Sequence, residues 1–388
     1  MNILYIIDIL LFIIFIINIL YLFIFSVASR FRDVKTTPTP KEIKENRIAI
    51  LIPAYKEDMV IMECVKSCLN QQYSSEKYDI VVISDRMSEE TNNTLSSLRL
   101  KLINVYFENS TKAKALNYAM EKLDDYDIAV ILDADNTIFP DFLSQINNTF
   151  VVNGTRIVQA HRCAKNTNTN LAILDAASEE MNNSIYRQGH VNMGLSAALI
   201  GSGMAFEYRL FKETMLKIDA IGGFDRALEL VLLKDGIKID YLPFVDVLDE
   251  KTQYRDDFSR QRRRWLSAQL HYMKKNIKEI PSAIKSENWD FCDKYFQQIS
   301  MPRLLLLGFT VIIAISLSFI DFELARKWWS ALFIVMVALF IAIPKKLITR
   351  HLFFALLEIP ITFLIMAGNL FRLKGANKKF IHTKHGVK

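Results

Sequence analysis

The sequence predicts an α/β protein in which a doubly wound mixed-sheet domain sits between apolar segments long enough to cross a membrane. Three observations predict it. Short Ile- and Val-rich runs alternate with helical patterns between residues 47 and 132, the rhythm of parallel strands joined by crossover helices. Each run ends in a polar cluster, where an open sheet binds its ligands. Hydrophobic residues fill 51% of the 388 positions and charged residues 23%, too apolar for disorder and too charged for membrane spans alone.

The elements follow in order. Ile3 to Ala28 is almost continuously apolar, and at about 1.5 Å per residue it exceeds the roughly 30 Å hydrocarbon core. Met1 and Asn2 carry no charge, and the run is too long for a cleaved signal, so residues 1–28 read as an uncleaved anchor. The following Arg30, Arg32, Lys35, Lys41, Lys44 and Arg47 place the next domain, residues 29–301, in the cytoplasm by the positive-inside rule, with the N-terminus outside. Within it, 47–53, 79–84 and 128–132 read as buried parallel strands, and 59–70 and 113–122 as helices. Residues 265–280 mix Leu266, Leu270, Met273 and Ile277 with Lys274, Lys275 and Lys278, fitting a helix on the inner leaflet or an ordinary surface helix.

Residues 302–388 hold three more apolar runs: 304–320, 328–343 and 352–371. The first two read as a membrane hairpin joined by residues 321–327, with Lys345, Lys346 and Arg350 marking the return to the cytoplasm. Glu358 and Pro360 interrupt the third, so a re-entrant or interfacial segment, with the basic tail inside, is preferred to a full crossing.

A formal charge of +6, with no basic face interleaved with aromatics, argues against a nucleic-acid partner. Cys64, Cys68, Cys163 and Cys292 show neither a disulfide framework nor a zinc spacing and read as buried thiols in a reducing compartment.

The chemistry lies after the strands. Tyr55 and Glu57 follow the first, Asp85 the second, and Asp133-Ala134-Asp135 the third. Alone, Glu57 or Asp85 would read as a helix cap; together they point to one crevice. Asp133 and Asp135 suit a hard cation, Mg²⁺ or Mn²⁺, which leaves sites for substrate phosphates. No phosphate-binding glycine loop is present, so Lys112, beside a helix N-terminus, is the cationic candidate.

In this order, IPAYKE (52–57), ISDRMSEET (83–91), KAKALN (112–117), LDADN (132–136), GSGMAF (201–206), GGFDRALEL (222–230) and QRRRW (261–265) resemble the family 2 glycosyltransferases of GT-A fold. Within that family they look closest to the membrane-embedded synthases of cellulose, chitin, hyaluronan and poly-N-acetylglucosamine. FIHTKHG (380–386) resembles a tail segment of some of these enzymes.

The resemblance implies that Tyr55, Glu57 and Asp85 hold uridine, that Lys112 and Asp133 contact diphosphate, and that Asp135 ligates the metal. Asp225 takes the position of the base, with Phe224 in place of the usual Glu; Glu229, one turn on, is the alternative base. Gln261, Arg264 and Trp265 belong to a pattern of chain-extending enzymes, with Arg264 toward diphosphate and Trp265 on the acceptor sugar. Gly201, Ser202 and Gly203 would form the acceptor floor. Arg262 and Arg263 are also read as a cluster meeting anionic lipid.

The expected function is inverting transfer from a UDP-sugar to a growing β-linked polysaccharide by a multi-pass cell-membrane protein. The alternatives are single-sugar transfer to a lipid phosphate or lipid-linked oligosaccharide, and a catalytically lapsed subunit of a polysaccharide-export complex. The expected partners are the UDP-sugar, a glycan acceptor, the lipid bilayer and subunits of such a complex.

Overall fold

The computed structural model describes residues 3–31 and 43–373; the FIHTKHG segment lies outside them. Eight strands form one sheet: β1 (Ile48–Tyr55), β2 (Tyr78–Asp85), β3 (Lys101–Val105), β4 (Ile128–Ile131), β5 (Thr137–Ile138), β6 (Ile157–Ala164), β7 (Met204–Glu207) and β8 (Asp240–Asp249). Their order is β3-β2-β1-β4-β7-β6-β8-β5. β1, β2, β3 and β4 run parallel, β7 is antiparallel to both β4 and β6, and β8 returns parallel to β6.

Both faces of the sheet are covered, so the central strands are apolar without alternation. Ala49 and Leu51 of β1 face a core shared with Leu116, Phe211 and Leu228, while Ile48, Ile50 and Ile52 face one with Val65, Phe142 and Leu143. The expected strand at 47–53 extends two residues further, through Tyr55, and the expected helix at 59–70 narrows to Ile61–Leu69.

Among the described residues, four helices are long and apolar enough to cross a membrane: Tyr5–Ala28, Arg303–Ile320, Phe322–Ala342 and Arg350–Leu370. The first three pack together, with Ala325, Ala331, Ala338 and Ala342 buried in the seam, small residues that let helices approach closely. The hairpin connection is shorter than expected. Only Asp321 separates the two helices; it caps the second by accepting from Glu323 N and Leu324 N, and Phe322–Lys327 are helical.

At that end, Asp8 pairs with Lys327 and accepts a 2.8 Å bond from the Trp328 indole. At the other end, the main chain of Phe25 meets Gly189, where a Cβ would lie 2.3 Å from the Phe25 oxygen. Asn192 caps the first helix by donating to Ala28 O at 2.9 Å and Phe31 O at 2.8 Å. The fourth helix carries a 3₁₀ turn at Leu356–Glu358, where the sequence interruption falls. Glu358 is satisfied there by Arg255 at 2.8 Å.

Candidate active site

The polar residues after β1, β2 and β4 meet the helix Phe224–Lys234 and the helix Arg255–Asn276 around one cavity of about 600 Å³. Tyr55, Glu57, Asp85, Lys112, Asp133, Asp135, Gly201, Asp225, Glu229, Gln261, Arg264 and Trp265 all line it.

Two strand ends leave the sheet through unusual backbone. Lys56 (φ 56°) follows Tyr55, and Arg86 (φ 58°) follows Asp85; left-handed non-glycine residues cost energy and cluster at functional sites. Asp85 is buried and its Oδ1 makes no hydrogen bond. Burial, only partly offset by Ser110, Arg86 and Lys56, raises its pKa above the ordinary carboxylate value. It is an acceptor short of a donor.

The Asp133-Ala134-Asp135 turn is braced from behind. Ser202 Oγ donates to Asn136 Oδ1 and accepts from Asp133 N at 3.1 Å, and the Cys64 thiol reaches Asp133 O at 3.6 Å. Ser202 is fully buried, so it supports the acidic loop instead of serving as acceptor floor. Gly203 is turned inward with it, against Val247 and Gln159. Gly201 does reach the cavity: at φ 86° it offers its carbonyl to Lys112 at 2.6 Å, beside Asp225.

Lys112 opens the helix Lys112–Lys122, capped by Thr111, and bonds Asp133. Its ammonium also lies 5.1 Å from the centre of the Phe224 ring, so the residue that departs from the family pattern forms a wall over this lysine.

Asp249, at the end of β8, escapes the sequence reading, yet its carboxylate lies with those of Asp133 and Asp135, one oxygen of each within 4.8 Å of the others. Asp135 accepts from Glu250 N at 3.2 Å and from Asn136 at 3.3 Å. Burial opposes ionisation of Asp249, but Arg162 and Lys251 hold its pKa below the usual range. Three convergent carboxylates fit a hard divalent cation by donor chemistry. Further back, Glu179 accepts from Arg162 and Arg187, both at 3.1 Å.

The two candidate bases differ sharply. Glu229 is not on the helix surface: it is 3% exposed, accepts from Leu199 N at 2.8 Å and pairs with buried Lys294 at 3.0 Å. Burial pushes its pKa up against the pull of Lys294. Asp225, in the first turn of the same helix, borders the cavity beside Gly201 and Arg264.

Arg262 turns inward, pairing with Asp175 and stacking over Trp265 at 4.3 Å and Phe258 at 4.7 Å, which takes it out of the cluster expected to meet anionic lipid. The helix carrying it is no plain surface helix either. Its Ala268 and Tyr272 are buried against Gly223.

A family model described as "Glycosyltransferase like family 2" matches residues 46–268, more than half of the chain. The chain belongs to this glycosyltransferase family. The "Probable glycosyltransferase YdaM" of Bacillus subtilis is 29% identical over 98 residues, which are 24% of this chain and 23% of that protein, so the match spans about a quarter of its length. Among solved structures, the mannosyltransferase PcManGT from Pyrobaculum calidifontis, in complex with GDP-Man and Mn²⁺, is similar over 83% of this chain and 93% of its own. Its TM-score is 0.51 at 16% identity, a likeness of fold. S. aureus TarS 1-349, solved with UDP-GlcNAc, is similar over 86% of this chain and 90% of its own, with a TM-score of 0.45 at 14% identity.

Proposed function

We propose that the protein is a cytoplasm-facing, membrane-integrated inverting glycosyltransferase of the polysaccharide-synthase branch, using a UDP-sugar and Mg²⁺ or Mn²⁺ to extend a β-linked glycan. The observation that carries this reading is the meeting of the strand-end carboxylates, Lys112, Asp225 and the Gln261–Trp265 segment on one cavity.

In this reading the imide N–H of uracil supplies the donor that Asp85 Oδ1 lacks, and the Tyr55 ring stacks on the base. Lys112 and Arg264 hold the diphosphate, Arg264 through its planar fork. Asp133 and Asp135, with Asp249, hold the cation. When bound, it neutralises charge on the departing diphosphate. Asp225 accepts the proton of the attacking acceptor hydroxyl. The new C–O bond forms opposite the leaving UDP, so an α-linked donor yields a β-linked product. Trp265 offers its indole face to the acceptor sugar, and Glu229 keeps Lys294 and Leu199 N satisfied.

Residues 29–301 are the catalytic unit in this account, and 1–28 and 302–388 the membrane part. Large apolar side chains on the outer faces of the apolar helices support it: Phe319 is 88% exposed, and Phe333 70%. Such contiguous apolar surface is unfavourable in water and suits a bilayer.

The test is UDP release by the purified full-length protein across a panel of UDP-sugars, with GDP-mannose alongside and with chelator. We expect metal-dependent UDP release from one or two UDP-sugars. Turnover of GDP-mannose alone, or full activity in chelator, would overturn the reading.

A further inference from the structure

The first apolar helix packs against more than its fellows. Tyr21, near its end, donates to Asp293 Oδ1 at 2.7 Å and lies 2.8 Å from His190 Nε2. His190 is fully buried, stacks on Phe25 with ring centres 3.8 Å apart, and donates through Nδ1 to Ile185 O at 2.7 Å. Gln297 closes the cluster by donating to Asp293 Oδ2 at 2.9 Å. An enclosed polar network of this kind holds one geometry, because a group that lost its partner would be left buried without a hydrogen bond.

Asp293 and Gln297 belong to the helix Trp289–Ile299, and the residues that follow each of them grip the helix of the candidate base. Lys294 pairs with Glu229 at 3.0 Å, and Gln298 accepts from Arg226, the neighbour of Asp225, at 2.7 Å. Positions four apart share a helix face, so 293 and 297 face Tyr21 while 294 and 298 face the helix Phe224–Lys234. One short helix is thus a strut between the anchor and the base.

On its other side the anchor meets a seven-residue π-helix, Asn183–Gly189, a rare form that recurs at functional sites. Only glycine fits at 189, where the main chain of Phe25 closes in, and from the same segment Tyr186 and Arg187 line the catalytic cavity.

We infer that Tyr21 is a positioning residue for sugar transfer. Through Asp293 and the strut it holds Arg226, and with it the first turn of the helix that carries Asp225, in place at the cavity. This extends the catalytic unit into the anchor, and it rests on the reading of Asp225 as base.

The test measures kcat, KM for the nucleotide sugar and thermal midpoint on the full-length protein in detergent. Tyr21→Phe should lower kcat at least about fivefold, short of the roughly 10² that a 1 Å misplacement can cost, with KM unchanged. Gly189→Ala, which pushes Phe25 away, should lower kcat further. Asp8→Asn, at the far end of the same helix, should lower the thermal midpoint but leave kcat unchanged. In a Gln298→Leu background, Tyr21→Phe should cost little more, because both act through one contact. Deuterium uptake by residues 224–230 reads the same coupling without substrate: Tyr21→Phe should raise it and Asp8→Asn should not.

Unchanged kcat and uptake in Tyr21→Phe overturn the proposal. So does a kcat loss matched by Asp8→Asn, which would make the anchor a source of stability alone, or a loss that adds fully to that of Gln298→Leu. Should Gly189→Ala fail to fold, the other variants still decide the matter. Asp225→Asn run alongside separates the two readings. An inactive Asp225→Asn with an unaffected Tyr21→Phe defeats this inference alone, and an active Asp225→Asn defeats the base assignment and this inference with it.

Discussion

Glu229 and Asp225 share one helix, and Glu229→Gln tells structural from catalytic carboxylate. The Glu229 side chain accepts from Leu199 N at 2.8 Å and pairs with Lys294 at 3.0 Å, with both residues almost wholly buried. The amide keeps the shape but leaves a buried ammonium without its anion, a change that costs about 3–5 kcal/mol. That is a large share of the roughly 5–15 kcal/mol holding a domain together. At roughly 2–4 °C per kcal/mol for a domain of this size, the thermal midpoint in detergent should fall by about 6 °C or more.

Replacing both partners, as Glu229→Met with Lys294→Met, removes the uncompensated charge and should recover most of the loss. A deficit of about 1–3 kcal/mol should remain for the unsatisfied Leu199 N–H. The assay pairs thermal unfolding with transfer rate, and the double variant should regain both. A double variant that is stable and binds UDP normally but transfers no sugar would refute the reasoning and move the base role to Glu229.

Three further outcomes are expected. Asp135→Asn should abolish transfer and weaken metal-dependent UDP binding, read by calorimetry with and without Mn²⁺; unchanged metal-dependent binding would contradict its role as ligand. Burial works against a charged His161, but its bonds to Asp246 at 2.8 Å and Glu180 at 2.9 Å push its pKa up to about 9. Because the folded value is raised, its contribution, about 3 kcal/mol for a rise from about 6.5, is fully present below about pH 6.5 and is lost as pH rises through about 9. His161→Gln should flatten the fall in thermal midpoint between pH 7 and pH 10. Finally, in a cysteine-free background, Phe31→Cys should be protected from an impermeant thiol reagent in intact cells and Phe322→Cys labelled; the opposite pattern would invert the topology.

The parallel half of the sheet was legible because strands buried on both faces read as unbroken apolar runs, and Asp85 and the Asp133-Ala134-Asp135 turn sit at their ends. β3 was not, since as an edge strand its residues stay partly exposed. β6 and β8 carry buried charges, including His161, Arg162 and Asp249, and such strands lose the apolar signature. Asp249 was missed for that reason; the Asp-x-x-Asp ending of β8 was its only trace. Periodicity put Glu229 on a helix that it does share with Asp225, but only the fold brings Lys294, 65 positions on, against it. Likewise Ser202 is expected at the acceptor floor, whereas its hydroxyl pins the acidic loop.

The central claim, that this cavity transfers a sugar by one displacement with Asp225 as base, is tested most directly by comparing Asp225→Asn with the unmodified protein. Transfer rate and UDP affinity are measured side by side with the UDP-sugar that the panel selects. Losing general-base help should lower the rate by about 10² to 10⁴, while UDP affinity stays unchanged, because the proposed function assigns donor binding to Asp85, Lys112 and the Asp133 turn. An Asp225→Asn protein that transfers sugar at the unmodified rate would contradict the account.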